Sequence, residues 1–72
     1  MKKTKKIKII LNGKSRSFQK TTSLHDLMRS LKLPIDKVAI ELNKKIINKK
    51  TIKRLYLKNK DKIEIVHFIG GG

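Results

Sequence analysis

The sequence predicts an α+β fold in which a mixed β-sheet carries one helix on one face. Three short segments alternate apolar and polar residues, which is the pattern of half-buried strands. Between the first two of these segments, another repeats apolar residues at the spacing of a helix. The pair Asn12-Gly13, a strong hairpin signal, follows the first segment. In chain order the elements are strand, strand, helix, strand, strand, strand.

The first predicted element is a β-hairpin. Residues 7–11 begin with apolar side chains at alternate positions. Asn12-Gly13 comes next, and both residues tolerate the positive φ of a type I′ turn. The polar segment Lys14–Gln19 is therefore predicted to be the outer partner strand.

A short amphipathic helix is predicted after the hairpin. Ser23 and Asp26 have the spacing of an acidic capping box. Pro34 is predicted to end the helix, because a proline moves the preceding residue out of helical geometry. The apolar positions recur at i, i+3, i+4 and i+7, and they are Leu24, Leu27, Met28 and Leu31. We interpret this stripe as core packing against the sheet rather than as a cofactor site.

The second half of the chain is predicted to add three strands and a short helical turn. Val38–Leu42 alternates and then reaches Asn43-Lys44, where glycine would adopt turn angles more easily than lysine. The other elements are a strand at 46–47, a helical turn within 51–57 and a last strand at 62–66.

The predicted sheet has one face toward the helix and one away from it. The helix-facing side would carry alternate residues of the first and last strands, namely Ile7, Ile9, Leu11, Ile63 and Ile65. Val66 and Phe68 would lie on the opposite face and, together with Ile69, would form an apolar docking surface for a partner. The residues alone leave open whether the first and last strands pair in parallel or antiparallel fashion.

The charge of the chain is strongly positive. Twenty Lys and Arg residues against five Asp and Glu give a formal net charge of +15, which raises the hypothesis of RNA binding. Seventeen of the twenty are lysines, which are spread along the chain, and only three residues are aromatic. Such a chain offers few arginine forks and few stacking platforms. We therefore favour compositional drift in an AT-rich genome over selected nucleic-acid binding.

No catalytic or metal-binding arrangement is predicted. Ser23, His25 and Asp26 are close in sequence, but neighbours on one helical turn point in different directions and cannot form an oriented triad. His67 is interpreted as a residue of the last strand. There is no cysteine, and two distant histidines make a transition-metal site unexpected. No apolar stretch approaches the roughly 20 residues that span a bilayer, so a soluble intracellular protein is expected.

The C-terminal residues give the clearest functional signal. Gly70-Gly71-Gly72 follow directly after the apolar run of residues 65–69. Such glycines would form a thin arm that can enter a narrow channel of a partner and present an α-carboxylate. We thus expect residues 1–72 to form a single domain with a flexible tail at 69–72.

Several of these segments together resemble the ThiS family, the ubiquitin-like sulfur carriers of thiamine biosynthesis. The resemblance rests on the Asn12-Gly13 hairpin, the helix of 24–31, the segment 38–43 and above all residues 61–72. It implies a β-grasp fold, in which the first and last strands are adjacent and parallel. The chain departs from the family pattern at three places, with Lys44 and Lys60 replacing turn glycines and Asn48-Lys49 replacing Pro-Arg.

The resemblance also implies a role as a protein co-substrate rather than an enzyme. An adenylyltransferase similar to the ubiquitin-activating enzymes (ThiF-type) would adenylate the carboxylate of Gly72 with ATP, while Gly70 and Gly71 pass through its channel. A sulfur donor protein, often a persulfide, would convert Gly72 to a thiocarboxylate. A ThiG-type thiazole synthase would then take the sulfur. The chain itself would bind no cofactor, and ATP would be held by the activating partner.

Two alternatives remain at the level of sequence. One is the sulfur carrier of the molybdopterin pathway, whose tail also ends in Gly-Gly, and the other is a basic β-grasp module that binds RNA. The length and the sequence of residues 63–72 favour thiamine biosynthesis. The expected location is the cytoplasm, or the plastid stroma if an organelle encodes the chain.

Overall fold

The computed structural model describes residues 5–67, and these residues form a five-stranded sheet with one α-helix. The elements are β1 (Lys6–Leu11), β2 (Lys14–Gln19), α1 (Leu24–Leu31), β3 (Val38–Leu42), β4 (Lys45–Ile46) and β5 (Lys62–His67), with short 3-10 helices at Ile35–Lys37 and Lys49–Arg54. The predicted order of strands and helix is confirmed. The helical turn predicted within 51–57 begins earlier than expected, at Lys49, and has 3-10 geometry.

The last strand lies in the middle of the sheet, whose order is β2-β1-β5-β3-β4. β1 and β5 pair in parallel, through Ile10 with Lys62 and Leu11 with Ile63. The other neighbouring strands pair antiparallel. The question that the residues left open is therefore settled in favour of the parallel pairing that the family resemblance implied, and the α+β prediction of a mixed sheet is confirmed.

The core lies between the sheet and α1. The predicted residues of β1 and β5 are all buried, and so are Leu24, Leu27 and Met28 of α1. Leu31, the last member of the predicted stripe, is only partly buried. Burying an aliphatic side chain of this size stabilises a fold by roughly 1.5–3 kcal/mol. The apolar alternation thus determined which face of each strand meets the helix.

The ends of α1 follow local chemistry. At the N-terminus the backbone N–H of Asp26 donates to Ser23 Oγ (3.0 Å) and the backbone N–H of Ser23 donates to Asp26 Oδ2 (3.1 Å), which confirms the capping box. The backbone hydrogen bond from Ser23 is the main cause that lowers the pKa of the Asp26 carboxyl below its usual value. At the other end the structure corrects the prediction for Pro34. The helix already stops at Lys32, which adopts a left-handed conformation (φ 56°) and donates its N–H to the Arg29 carbonyl.

Both predicted hairpin turns form with positive φ at their two central residues. Asn12 and Gly13 have φ of 48° and 82°, and Asn43 and Lys44 have φ of 52° and 72°. These are the angles that a type I′ turn requires. The second hairpin therefore exists despite Lys44, and its outer strand begins one residue before the predicted position. Lys60, the other lysine where the family resemblance led us to expect glycine, is also left-handed, with φ of 73°.

Candidate functional site

The candidate site is the end of β5, because the predicted tail follows it directly. Phe68, Ile69, Gly70, Gly71 and Gly72 lie outside the described residues, so their predicted roles stay predictions. The structure does describe the strand from which they continue, up to the strand residue His67. The described part of β5 shows how firmly the strand is held and which surfaces flank its end.

On one side, β5 is paired with β3 from Ile63 to the last described residue. The antiparallel ladder with β3 joins Ile63 to Leu42 at one end and His67 to Val38 at the other. The amine of Lys49 reinforces this end of β3, since it donates to the carbonyls of Val38 (2.8 Å) and Ile35 (2.9 Å). The backbone is thus fixed on the β3 side as far as the last described residue.

On the other side, the ladder with β1 stops early because β1 turns at Asn12, and the side chain of Asn12 continues it. The Asn12 backbone N–H donates to the Ile63 carbonyl (2.9 Å). The backbone N–H of Ile65 donates to Asn12 Oδ1 (2.8 Å), and Asn12 Nδ2 donates to the carbonyl of Ile65 (3.3 Å). A single amide side chain thus satisfies both polar groups of a backbone position two residues before His67.

Asn43 does the same for the beginning of β5. Its backbone N–H donates to the Lys62 carbonyl (2.7 Å), and its Oδ1 accepts from the Lys62 N–H (2.9 Å). Its Nδ2 donates to Asp61 Oδ1 (3.0 Å), while Asp61 Oδ2 accepts from the N–H of Lys58 (2.8 Å). The buried carboxylate of Asp61 therefore has a partner on each oxygen.

Both asparagines are predicted from the sequence as turn residues, but their second role, as clamps on β5, is not. An available signal was the residue type. A type I′ turn needs only positive φ, which glycine reaches most easily. Asparagine adds an amide group on a short side chain. This amide has a donor and an acceptor, as a peptide group does, so it can take the place of a backbone partner in a sheet. The partner strand, however, lies more than 50 residues from Asn12, and no local pattern identifies it.

The sheet face away from α1 carries Val66, as predicted, and its side chain is 58% exposed. Its partner across the ladder is Ala39, whereas the next pair along the same face is Glu64 with Glu41. Two other exposed apolar residues of this face, Ile10 and Ile46, lie beside Lys62 and Glu41. Within the described residues, the apolar area next to the tail is therefore small, and charged residues separate it from the rest of the face.

The residues considered for catalysis have structural roles. The Ser23 hydroxyl and the Asp26 carboxylate are both engaged in the helix cap, so they are not arranged as a triad with His25. Among residues 5–67 no group of three or more His, Cys, Asp or Glu side chains is placed to hold a metal ion. In the same part of the chain, none of the helices has the length and apolar character needed to cross a bilayer.

Comparisons with known proteins identify the family. The model of the ThiS family matches residues 9–72, a span that includes the three terminal glycines. The sulfur carrier protein ThiS of Bacillus subtilis is 44% identical over 63 residues, which cover 86% of this chain and 96% of that protein. A crystal structure of a thiamine biosynthesis protein (ThiS) from Geobacter metallireducens has a TM-score of 0.79 at 25% identity, covering 92% of this chain and 100% of the other.

The chain also resembles a part of much longer proteins. A thiazole synthase from Magnetococcus marinus is 41% identical over 66 residues, and one from Paramagnetospirillum magneticum is 36% identical over the same number. These segments cover 92% of this chain but only 20% of the length of each synthase. A domain similar to the whole chain is therefore present within proteins named thiazole synthase.

Proposed function

This chain belongs to the ThiS family, and we propose on that basis that it is a sulfur carrier protein of thiamine biosynthesis. It is a co-substrate whose terminal carboxylate is modified by other proteins. The structural observation that carries the proposal is the fixed end of the central strand, held by β3 on one side and by Asn12 on the other. A tail that begins there starts from a defined position and direction.

The chemistry of the proposal takes place at the Gly72 carboxylate. A carboxylate resists nucleophiles, because its charge repels them and oxide is a poor leaving group. Attack of a carboxylate oxygen on the α-phosphate of ATP releases pyrophosphate and gives an acyl adenylate, from which AMP leaves readily. The terminal sulfur of a persulfide on the donor protein displaces AMP and forms an acyl disulfide. A thiol then attacks the donor sulfur of that S–S bond, which releases the thiocarboxylate and leaves a disulfide between the thiol and the donor protein. ATP and the catalytic groups belong to the activating partner, and this chain supplies the reacting atom.

Gly70 and Gly71 serve access rather than chemistry. Without side chains, they allow the carboxylate to reach an active site through a channel too narrow for other residues. Each residue of an extended chain adds at most about 3.3–3.6 Å of reach. Five residues follow His67 in the sequence, so an extended tail would reach at most about 17 Å beyond it.

We assign three partners to the chain. A ThiF-type adenylyltransferase activates Gly72, a donor protein supplies sulfur, and a ThiG-type thiazole synthase accepts it. The similarity to a segment of two thiazole synthases supports the last of these, because fusing carrier and acceptor raises their effective concentration. We also assign Val66, Phe68 and Ile69 to the docking of these partners, a role supported by the exposure of Val66 on the sheet face away from α1. The compartment is the cytoplasm, or the plastid stroma for an organelle-encoded chain.

The direct test is intact-mass spectrometry of the full chain after incubation with ATP, a ThiF-type enzyme and a sulfur donor. We expect a mass gain equal to the exchange of one oxygen for sulfur, located at Gly72. A variant without Gly71 and Gly72 shows no gain, and Gly71→Ala reacts more slowly at unchanged melting temperature because its methyl group obstructs the channel. An unmodified wild-type chain, with an enzyme active on its own carrier, contradicts the proposal and directs the same assay to the molybdopterin-pathway enzyme.

The net charge of +15 favours one alternative of another class, the binding of RNA. A groove on the sheet face away from α1 is lined in part by Lys8, Lys60 and Lys62 and gives this alternative a place on the fold. RNA binding would weaken steeply with salt, because each neutralised phosphate releases counterions. It would also survive removal of Gly71 and Gly72, whereas sulfur transfer would not.

A further inference from the structure

A groove lies on the helix-facing side of the sheet, directly beside the end of β5. The eight residues of α1 span about 12 Å, whereas a strand of six residues spans about 20 Å. The helix therefore leaves part of the sheet uncovered. The uncovered part forms a groove of about 340 Å³, and His67, the last described residue, contributes to its lining.

The floor of the groove is apolar. Leu11 and Ile65 contribute from β1 and β5, and Leu31 and Leu33 contribute from either side of the helix stop at Lys32. Both of these leucines are only partly buried. A partner side chain placed in the groove would remove their exposed apolar surface from water, which favours binding.

The rim of the groove is cationic. Lys14 and Arg16 of β2 pair across the ladder with Leu11 and Ile9, so they lie on the same helix-facing side as these core residues. Both basic side chains line the groove, and none of its described lining residues is acidic. Within the described part of the chain, the groove thus combines an apolar floor with two positive charges and no lining carboxylate.

We propose that this groove is a second docking site for the activating enzyme, which fills it with one large apolar side chain flanked by carboxylates. The proposal rests on the proposed function, because His67 connects the groove to the tail that this enzyme must hold. The positive charges of Lys14 and Arg16 favour an acidic segment of the partner, and the leucines of the floor favour an apolar side chain within that segment. Docking on the Val66 side and in the groove would hold β5 from both faces of the sheet and orient the tail between them.

Other occupants fit the groove less well. A nucleic acid would need stacking surfaces, and among residues 5–67 no phenylalanine, tyrosine or tryptophan lines the groove. A second copy of this chain would have to supply an acidic and apolar segment, yet the whole chain has only five acidic residues. These two occupants remain as outcomes that the experiment can reveal.

The experiment compares two double variants of equal charge in the ATP-dependent mass assay. Lys14→Glu with Arg16→Glu reverses the rim of the groove. Lys50→Glu with Lys53→Glu changes the net charge by the same amount at exposed positions that do not line it. We expect the groove variant to raise KM for activation about tenfold with kcat unchanged, and the control to change KM less than twofold. Circular dichroism and thermal unfolding establish that both variants are folded.

A second measurement tests binding through the groove in chains that lack the last two residues of the tail. A chain without Gly71 and Gly72 should inhibit modification of the full-length chain, and the same chain with the groove variant should inhibit about tenfold less. In spectra of labelled protein, the amide signals of Leu31 and Leu33 should shift when the enzyme is added. Equal KM values for the two double variants overturn the proposal. Signals of Leu31 and Leu33 that shift only with the concentration of this chain would show a second copy in the groove, and signals that shift only with added RNA would show a nucleic acid. Either result also overturns the proposal. If the wild-type chain is not modified at all, the proposed function fails, and that result is distinct from either of these.

Discussion

Asn12 and Asn43 each combine a turn conformation with a clamp on the central strand. Both have positive φ, and both use the amide side chain to pair with the backbone of β5, at Ile65 and Lys62. Each hydrogen bond adds only about 1 kcal/mol net, but an unpaired buried backbone group costs about 1–3 kcal/mol. These two residues stabilise the fold because they pair with backbone N–H and C=O groups of β5 that the neighbouring strands do not reach.

Replacing Asn12 separates these two roles. Asn12→Gly keeps the turn and loses the side-chain pairing with Ile65, so we expect the free energy of unfolding to fall by about 1–2 kcal/mol. Asn12→Ala loses the pairing and also replaces an asparagine, which tolerates left-handed angles, with a residue that does not, which costs about 1 kcal/mol more. Urea denaturation of both variants measures the difference. If Asn12→Gly is as stable as the wild type, the clamp on Ile65 contributes nothing to stability.

At the scale of elements, the turns of this chain tolerate lysine where positive φ favours glycine. Lys44 and Lys60 both adopt left-handed angles, and Lys32 ends α1 in the same conformation. A non-glycine residue held at such angles is strained by about 1–2 kcal/mol. The surrounding hydrogen bonds of Asn43 and Asp61 keep these turns closed in spite of the strain. These turns therefore form because the hydrogen bonds around them outweigh the backbone strain of the lysines.

Glycine at these turns should stabilise the protein. We expect Lys44→Gly and Lys60→Gly each to raise the free energy of unfolding by about 0.5–1 kcal/mol, since relief of strain exceeds the added entropy of the unfolded chain. Lys45→Gly is the matched control, because Lys45 lies in the extended strand β4 and glycine there only adds flexibility. Thermal unfolding at one ionic strength measures all three. A stability gain for Lys45→Gly equal to that of Lys44→Gly would attribute the effect to lost charge.

At the scale of the whole molecule, the end of β5 is flanked by two different surfaces. One face carries Val66 with Ala39, and the other carries the groove with its leucines and its basic rim. The sheet determines this division, because successive residues of a strand point to opposite faces. A partner that holds the tail thus meets an apolar surface on one side and a cationic groove on the other.

The docking role of Val66 can be tested against an equally exposed residue far from the tail. We expect Val66→Asp to weaken binding of the activating enzyme about tenfold, because it places a charge in a surface that must be dehydrated. Ile46→Asp is the control, since Ile46 is 70% exposed on the same face but lies at the edge strand. Affinities measured by calorimetry, with circular dichroism unchanged in both variants, would establish the patch. Equal affinities for the two variants would exclude it.

The sequence by itself determined the local parts of this protein. Alternation placed β1, β3 and β5 within one residue of their ends, the Ser23–Asp26 spacing predicted the helix cap, and two turn pairs predicted the hairpins. It also displayed the terminal glycines on which the proposed chemistry rests. These signals are readable because each acts between residues that are close along the chain, where local backbone and side-chain energies decide the conformation.

Only the tertiary structure decided how these parts meet. The parallel pairing of β1 with β5, the contact between Asn12 and Ile65 and the groove beside the short helix all join residues far apart in sequence. Such contacts depend on the path of the intervening chain and on how the helix covers the sheet. Hydrophobic alternation is the same for either strand direction, so it could not choose between them. The physical reason is that burial specifies which side chains turn inward, whereas chain connectivity and packing specify which strands become neighbours.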